Sequence, residues 1–449
     1  MAPVATHTRS VRSADLKSTL IERDLPGNAR TVLELDHTKG GQQPGVHNRW
    51  HPEIPVIETI RPGEVVRVWT LDWSGGQVTN DDCADDVLAI DHDSDHQLSG
   101  PFNVEGAQPG DVLAVDIVHL EPSEVTPWGY SIVGPGIGSL DRPGVRYAKA
   151  IWDFRDGETS SRHIPGVHFG GRMFPGIVGV APSQDLLTQW TAREAELQSA
   201  YSCHGFEASP LPTNNAAWVG AVGQKIPGLV RQRIYNEGAR TGPARENGGN
   251  MDFASLVAGS RLYLPVFVEG AKLSLGDVHF CEGDGEPTTA IEMSAVVTIR
   301  CSVIKNGMAN LGIRQPVYET SASEPRFPRQ LVFTGNSVNQ AVGGRQHMQN
   351  GILSYRNAAW DAMDYLKKFG YTEEQAYMLL ACAPIESRVL TTANKPNMGV
   401  SLGLPLDIFD FDIGFPASGA PTQRVFSGPA ELSEEKAAKI YPEQAEEVL

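Results

Sequence analysis

The clearest regularity along the chain is a two-residue alternation of apolar and polar positions behind short turn signals. Arg61-Pro-Gly-Glu-Val-Val-Arg-Val-Trp-Thr-Leu-Asp72 opens on a Pro-Gly turn and then alternates, the period of a half-buried strand. The design recurs at Gln108-Pro-Gly-Asp-Val-Leu-Ala-Val-Asp-Ile-Val118 and, without the proline, at Ala258-Gly-Ser-Arg-Leu-Tyr-Leu-Pro-Val-Phe-Val268. Their irregular spacing argues against a solenoid and for similar hairpin edges of antiparallel sheets. Thr31-Val-Leu-Glu-Leu35 adds a shorter strand-like run. Helical signals are fewer. Residues 183–199 are rich in helix formers behind a capping Ser183. Residues 350–387 hold a pair: Asn357 to Phe369 stops at Gly370, and Thr372-Glu-Glu-Gln375 is a capping box that opens a second helix to about Cys382. The pattern predicts an α+β protein, mainly β, with antiparallel sheets and a late αα-hairpin.

At 449 residues two or three domain-sized units are expected. The pattern divides the chain into an N-terminal segment (1–60), a first β-rich unit (61–200), a Pro-, Asn- and Gly-rich loop excursion (201–245), a second β-rich unit with the helical hairpin (246–425) and a charged, helical or frayed tail (426–449). Composition sharpens this. Gly 46 and Pro 31 imply many tight turns. A formal charge of −17 and a pI near 5.2 oppose binding to phosphate backbones or anionic lipid, so no nucleic-acid or membrane partner is expected. Five scattered cysteines without a CxxC pair exclude a disulfide framework and fit a reducing compartment. With no apolar leader and no run near the ~18 residues of a membrane span, a cytoplasmic location is expected.

The densest polar constellation is Gly276-Asp-Val-His-Phe-Cys-Glu-Gly-Asp-Gly-Glu286. Asp277, Glu282, Asp284, Glu286 and His279 follow directly on the apolar run from Ala271 to Leu275. On an extended chain Asp277 and His279 share a face, and Gly283 and Gly285 let the backbone turn so that Asp284 or Glu286 returns toward them. One imidazole with several carboxylates suits Zn²⁺, Mn²⁺ or Ca²⁺; an acidic solvent-exposed turn is the plain alternative. A second constellation, Pro243-Ala-Arg-Glu-Asn-Gly-Gly-Asn-Met-Asp252, sets a Gly-Gly step among Glu246, Asn247, Asn250 and Asp252. Such a loop can cradle an oxyanion or supply a metal carboxylate, or be a simple turn. A third, Asp72-Trp-Ser-Gly-Gly-Gln-Val-Thr-Asn-Asp-Asp82, reads first as a solvated loop.

Other features fail on inspection. Asp91-His-Asp-Ser-Asp95 lacks the glycine and glutamate of a calcium loop, which His96 and Phe102 replace. Gly399-Val-Ser-Leu-Gly403 matches a nucleophile elbow in letters, but Lys395-Pro-Asn before it and Pro405 after it deny the strand-to-helix context. Cys281 sits among carboxylates that oppose its ionisation.

Taken together, the segments resemble the acetamidase/formamidase family over roughly residues 15–425. The pieces that carry the resemblance are His47-Asn-Arg-Trp-His-Pro-Glu-Ile-Pro55, Asp72-Trp-Ser-Gly-Gly-Gln77, Ser99-Gly-Pro-Phe-Asn-Val-Glu-Gly-Ala107, Ser161-Arg-His-Ile-Pro-Gly166, Glu246-Asn-Gly-Gly-Asn-Met-Asp252 and Leu275 to Glu286. Three of them, at His47, Asp72 and Arg162, look like the formamidase branch. The resemblance implies a β-sandwich-like core, a homo-oligomer, and hydrolysis of formamide, more weakly of other short aliphatic amides, to a carboxylate and ammonia. Asn247 stands where many relatives carry His; if that His is a ligand or base there, its role here falls to Asn247 or to another residue.

Without a credible serine triad, water activated by a divalent metal, zinc for preference, is the expected nucleophile. Asp252, Asp277, His279 and Glu286 form the expected ligand set. Glu286, Asp284 and His279 are the expected acid–base groups. Glu246, Asn247, Asn250 and Asp82 are expected to present a small amide substrate. Two alternatives stay open: a metal-free amidase using a carboxylate base or Cys281, and a non-enzymatic sandwich that binds calcium and sugar.

Overall fold

The protein is seen in a computed structural model that describes residues 29–140, 142–200, 217–219, 226–321, 329–339, 345–392, 395–414 and 421–442. The first 28 residues, Cys203 with residues 201–216 and 220–225 of the expected 201–245 excursion, and the C-terminal Glu-Val-Leu lie outside the described residues.

The three alternating segments converge on one six-stranded sheet. Its order is Arg30–Leu33, Val65–Thr70, Ala295–Ile304, Val112–Pro122, Arg261–Pro265, Val317–Glu319. Every pair is antiparallel except the first. In Val65–Thr70 half-buried and buried positions alternate, as the sequence period requires. A twelve-stranded sheet has a main path of His168–Gly170, Glu158–Ser161, Ala148–Arg155, Trp128–Val133, Glu292–Met293, Leu273–His279, Phe174–Gly179 and Gly248–Asn250. Leu273–His279 is buried along its whole length. One continuous core joins the sheets, with Val66, Val68, Leu113, Val297 and Ile299 from the first meeting Phe102, Trp152, Leu273, Leu275 and Val278 from the second. That is a sandwich of mainly antiparallel sheets, and both sheets draw strands from before and after residue 245.

The helical pair packs at one side. Gly351–Lys367 lies on a three-stranded sheet of Gln330–Asn336, Gly399–Pro405 and Glu386–Thr391. It starts six residues earlier than expected because Asn350 caps it, accepting from Leu353 N–H at 3.0 Å. The second helix, Glu373–Cys382, carries the expected capping box between Thr372 and Gln375 and is buried almost throughout. Ser183 accepts from Leu186 N–H at 3.1 Å at the head of Gln184–Ala200. Within the excursion one described stretch forms a helix, Gly228–Glu237, whose sole buried residue is Ile234; a helix with so little apolar face has no period to read. Ser401 sits in mid-strand, paired to both neighbours, and is no elbow. Among the described residues no helix is long and apolar enough to cross a membrane.

Candidate active site

His279 ends the strand Leu273–His279 between two antiparallel neighbours, opposite Phe174 on one and Glu292 on the other. Glu292 is opposite Tyr130 in turn. Asp277, two residues back, shares the face of His279, with its Oδ1 3.3 Å from Nε2. Glu292 Oε2 lies 3.2 Å from the same nitrogen, and Glu282 Oε2 lies 2.9 Å from Nδ1. All four side chains are buried.

The Gly-Gly loop brings a further acid. Gly248–Asn250 pairs with Phe174–Gly179, and Met251 and Asp252 donate their N–H groups to the Gly176 carbonyl at 3.0 and 3.3 Å. Gly176 has no side chain to interpose, since a Cβ there would stand 2.6 Å from Asp252 Oδ1 and 2.9 Å from His279 Cε1. Asp252 therefore rests against the edge of the imidazole, with the carboxyl of Glu286 as a close neighbour. Asp252, Asp277 and Glu286 all have positive φ (46°, 54° and 33°), a region that residues with side chains seldom occupy and that gathers at functional sites.

Five carboxylates thus share one buried imidazole. Burial raises Asp252 and Glu286 well above the ordinary carboxylate range, with the neighbouring acids adding to it. Burial likewise pushes Glu282 up to about 8 and Glu292 to about 7. Burial would depress His279, but Glu292 and Asp277 together raise it well above its usual value. Burial works on Asp277 too, and there the imidazolium wins and lowers it. Among the described residues Asp252 Oδ1, Glu282 Oε1 and Glu292 Oε2 are buried without a hydrogen-bond partner; the last is near Nε2 but misaligned. Two donor triads, Asp252–His279–Glu282 and Asp277–His279–Glu292, keep their ligand atoms within 4.8 Å of one another. Orphaned carboxylate oxygens around one imidazole nitrogen fit a divalent cation.

Asp284 accepts from Ser387 N–H at 2.9 Å, and its charged neighbours are Arg172, Glu386 and Arg388 rather than His279. Glu246 is clamped by Arg193 and Trp190, and Arg193 holds it down at about 2. Asn247 donates to the Val180 carbonyl at 2.8 Å, while its Oδ1 and that of Asn250 are buried without a partner among the described residues. Asp82 pairs on the surface with Arg162 and His163. Cys281 lies in the core, its thiol pushed up to about 12 by burial, a state that opposes nucleophilic use. Sequence reasoning missed Glu292. Its signal is a lone acid between Ile291 and Met293, a charge in an apolar strand that must find partners.

The model of the family described as "Acetamidase/Formamidase family" matches residues 33–411. A formamidase of Methylophilus methylotrophus is 40% identical over 397 residues, covering 87% of this chain and 96% of that protein. An acetamidase of Mycolicibacterium smegmatis is 42% identical over 370 residues, covering 79% and 90%. The solved structure of a gamma lactamase from Delftia acidovorans superposes with a TM-score of 0.84 at 40% identity, over 90% of this chain and 98% of that one.

Proposed function

We propose that this chain, which belongs to the acetamidase/formamidase family, hydrolyses formamide and, more weakly, other short aliphatic amides to the carboxylate and ammonia. The observation that carries the reading is the set of buried His279, Asp277, Glu282 and Glu292 with half-buried Asp252 and Glu286 beside them, because an amide needs carbonyl polarisation, an activated water and a proton for the departing nitrogen.

The residues divide those tasks. Glu282 accepts the Nδ1 proton of His279 and so fixes the tautomer. Nε2 is then free to join Asp277 and Glu292 as the three donors that would hold a divalent cation, zinc for preference. Such an ion would supply Lewis-acid polarisation and acidify water. Asp252 and Glu286, neighbouring carboxyls of which the second helps to hold the pKa of the first up, take the water's proton and return it to the leaving nitrogen, with Glu286 as general base and shuttle. Asp284, turned toward Ser387, has no part in this scheme. Asn250, with its free buried oxygen, accepts from the carboxamide N–H.

Ammonia release from formamide and acetamide tests the reading. The wild-type chain is expected to turn over both, formamide faster. His279→Ala should lose roughly a thousandfold or more in kcat with its far-UV spectrum unchanged. A folded wild-type protein that releases ammonia from neither amide overturns the reading.

A further inference from the structure

The chain that enters the strand Leu98–Val104 passes the acid cluster on its way in. Phe174–Gly179 occupies one edge of Leu273–His279 throughout, so Leu98–Val104 and Glu292–Met293 share the other edge. The first lies opposite Leu273 and Leu275, the second opposite Val278 and His279. Asp277 falls at the junction. Gly276 permits the close approach there, since a Cβ on it would stand 3.1 Å from the Gln97 carbonyl oxygen and 3.4 Å from Leu98 Cα. The residues before Gln97 must then leave the sheet to make room for Glu292–Met293. They do so with His96 beside Asp277, close enough that the imidazole helps to lower that acid. In the sequence His96 had shown itself only as the residue that spoils a calcium loop.

Thr241 and Trp73 fix the ring. His96 N–H donates to Thr241 Oγ1 at 2.8 Å, and Nδ1 lies 2.9 Å from the same oxygen. The Trp73 ring lies 5.9 Å away between centroids, tilted by 53°. Thr241 is buried, and among the described residues its hydroxyl hydrogen has no acceptor but Nδ1. A lone pair of that oxygen already takes the His96 N–H, so the hydroxyl donates to Nδ1 and the ring proton sits on Nε2. Nε2–H has no hydrogen-bond partner among the described residues. His96 is half-buried, with one ring nitrogen tied back and the other an unspent donor beside Asp277, and it is placed to meet an acceptor that arrives there. An amide carbonyl oxygen is such an acceptor, and it gains negative charge as water adds to its carbon. We propose that His96 is a catalytic residue whose Nε2–H donates to the amide oxygen and stabilises the oxyanion of the tetrahedral intermediate, with Thr241 as the positioning residue that sets its tautomer. The inference rests on the amidase reading and adds to it an oxyanion donor from the protein itself.

The test is steady-state hydrolysis of formamide by the full chain and by His96→Met and His96→Gln, two replacements close in size of which only glutamine carries a donor. His96→Met should lower kcat about 100-fold, the worth of one oxyanion donor, with KM within about threefold of wild type. His96→Gln should keep at least about tenfold more kcat than His96→Met. Acetamide against thioacetamide gives a readout that a merely structural role would not move. Sulfur accepts hydrogen bonds poorly, so the wild-type preference for acetamide in kcat/KM should shrink by about tenfold in His96→Met. If His96→Met does not fold, as judged by its melting curve, Thr241→Val carries the expectation of a kcat loss of about tenfold at little-changed KM. Unchanged kcat in the folded variants, a loss confined to KM, a His96→Gln no more active than His96→Met, or an unaltered preference between acetamide and thioacetamide overturns the assignment while leaving the amidase intact. No turnover of any amide by the wild type overturns the amidase reading itself.

Discussion

His47 is buried with both ring nitrogens engaged, Nδ1 donating to the Arg49 carbonyl and Nε2 accepting from Ser274 Oγ, each at 2.8 Å. Burial holds its pKa down at about 4. In the unfolded chain the same group titrates near 6.5, so between these values the unfolded state binds more protons and acidification destabilises the fold. The stability advantage of wild type over His47→Gln should therefore shrink by roughly 2–3 kcal/mol from pH 7 to pH 4.5. Urea melts at the two pH values measure it, and a pH-independent difference would show that His47 is not held neutral. At this scale much of the chemistry was legible. Asp277, His279, Glu282 and Glu286 lie together in the sequence, and period two alone puts the first pair on one face. Glu292 was not legible, because what makes it a neighbour of His279 is strand register, and register depends on pairing that no local pattern displays. Asp284 illustrates the converse: it is adjacent in sequence yet its carboxylate turns toward Ser387.

Elements deliver the site through close approach. The strand Phe174–Gly179 lies between Leu273–His279 and Gly248–Asn250, and at Gly176 it leaves room for Asp252 to meet the imidazole. A methyl group there would overlap Asp252 Oδ1, His279 Cε1 and the Asp277 carbonyl, all within 3.0 Å. Gly176→Ala should therefore displace the acids around His279 and lower kcat on formamide by about 10- to 100-fold, the scale of a misplaced reacting group. Activity and thermal melts of the variant check this; unaltered kcat would mean that Asp252 has no role in turnover. The sequence suggested Asp252 through the Gly-Gly step but offered nothing about Gly176, one glycine among 46. Local signals served best where the stabilising contacts are themselves local. The Thr372–Gln375 capping box appears as read. The neighbouring helix runs from Asn350 because the Asn-Gly pair that resembles a turn supplies its cap. Strand identity was legible from alternation, whereas the gathering of Val65–Thr70, Val112–Pro122 and Arg261–Pro265 into one sheet is a tertiary outcome.

Across the whole molecule, the acid cluster lies within the larger sheet, where Leu273–His279 joins strands on both sides. Burying Asp277, Glu282 and Glu292 around a single histidine, with half-buried Asp252 and Glu286 beside them, is costly for the fold unless protons or a cation neutralise the acids. A net charge of −17 gives no help, since the long-range field of the chain is itself negative. A divalent ion at His279, Asp277 and Glu292 would therefore stabilise the sandwich as well as serve turnover. An ion that binds only the folded state contributes RT ln(1 + [L]/Kd), about 4 kcal/mol at a thousandfold excess over Kd. Chelation should thus lower the melting temperature by roughly 4 °C or more, abolish ammonia release, and release the ion stoichiometrically as read by elemental analysis. Returning the ion should restore both properties. In His279→Ala, which has lost the central donor, chelator should leave the melting temperature unchanged. If the wild-type protein contains no metal, and chelation alters neither its melting temperature nor its turnover, neutralisation falls to shared protons instead. The raised pKa values of Glu282 and Glu292, about 8 and 7, would then place the activity under direct carboxyl acid–base control.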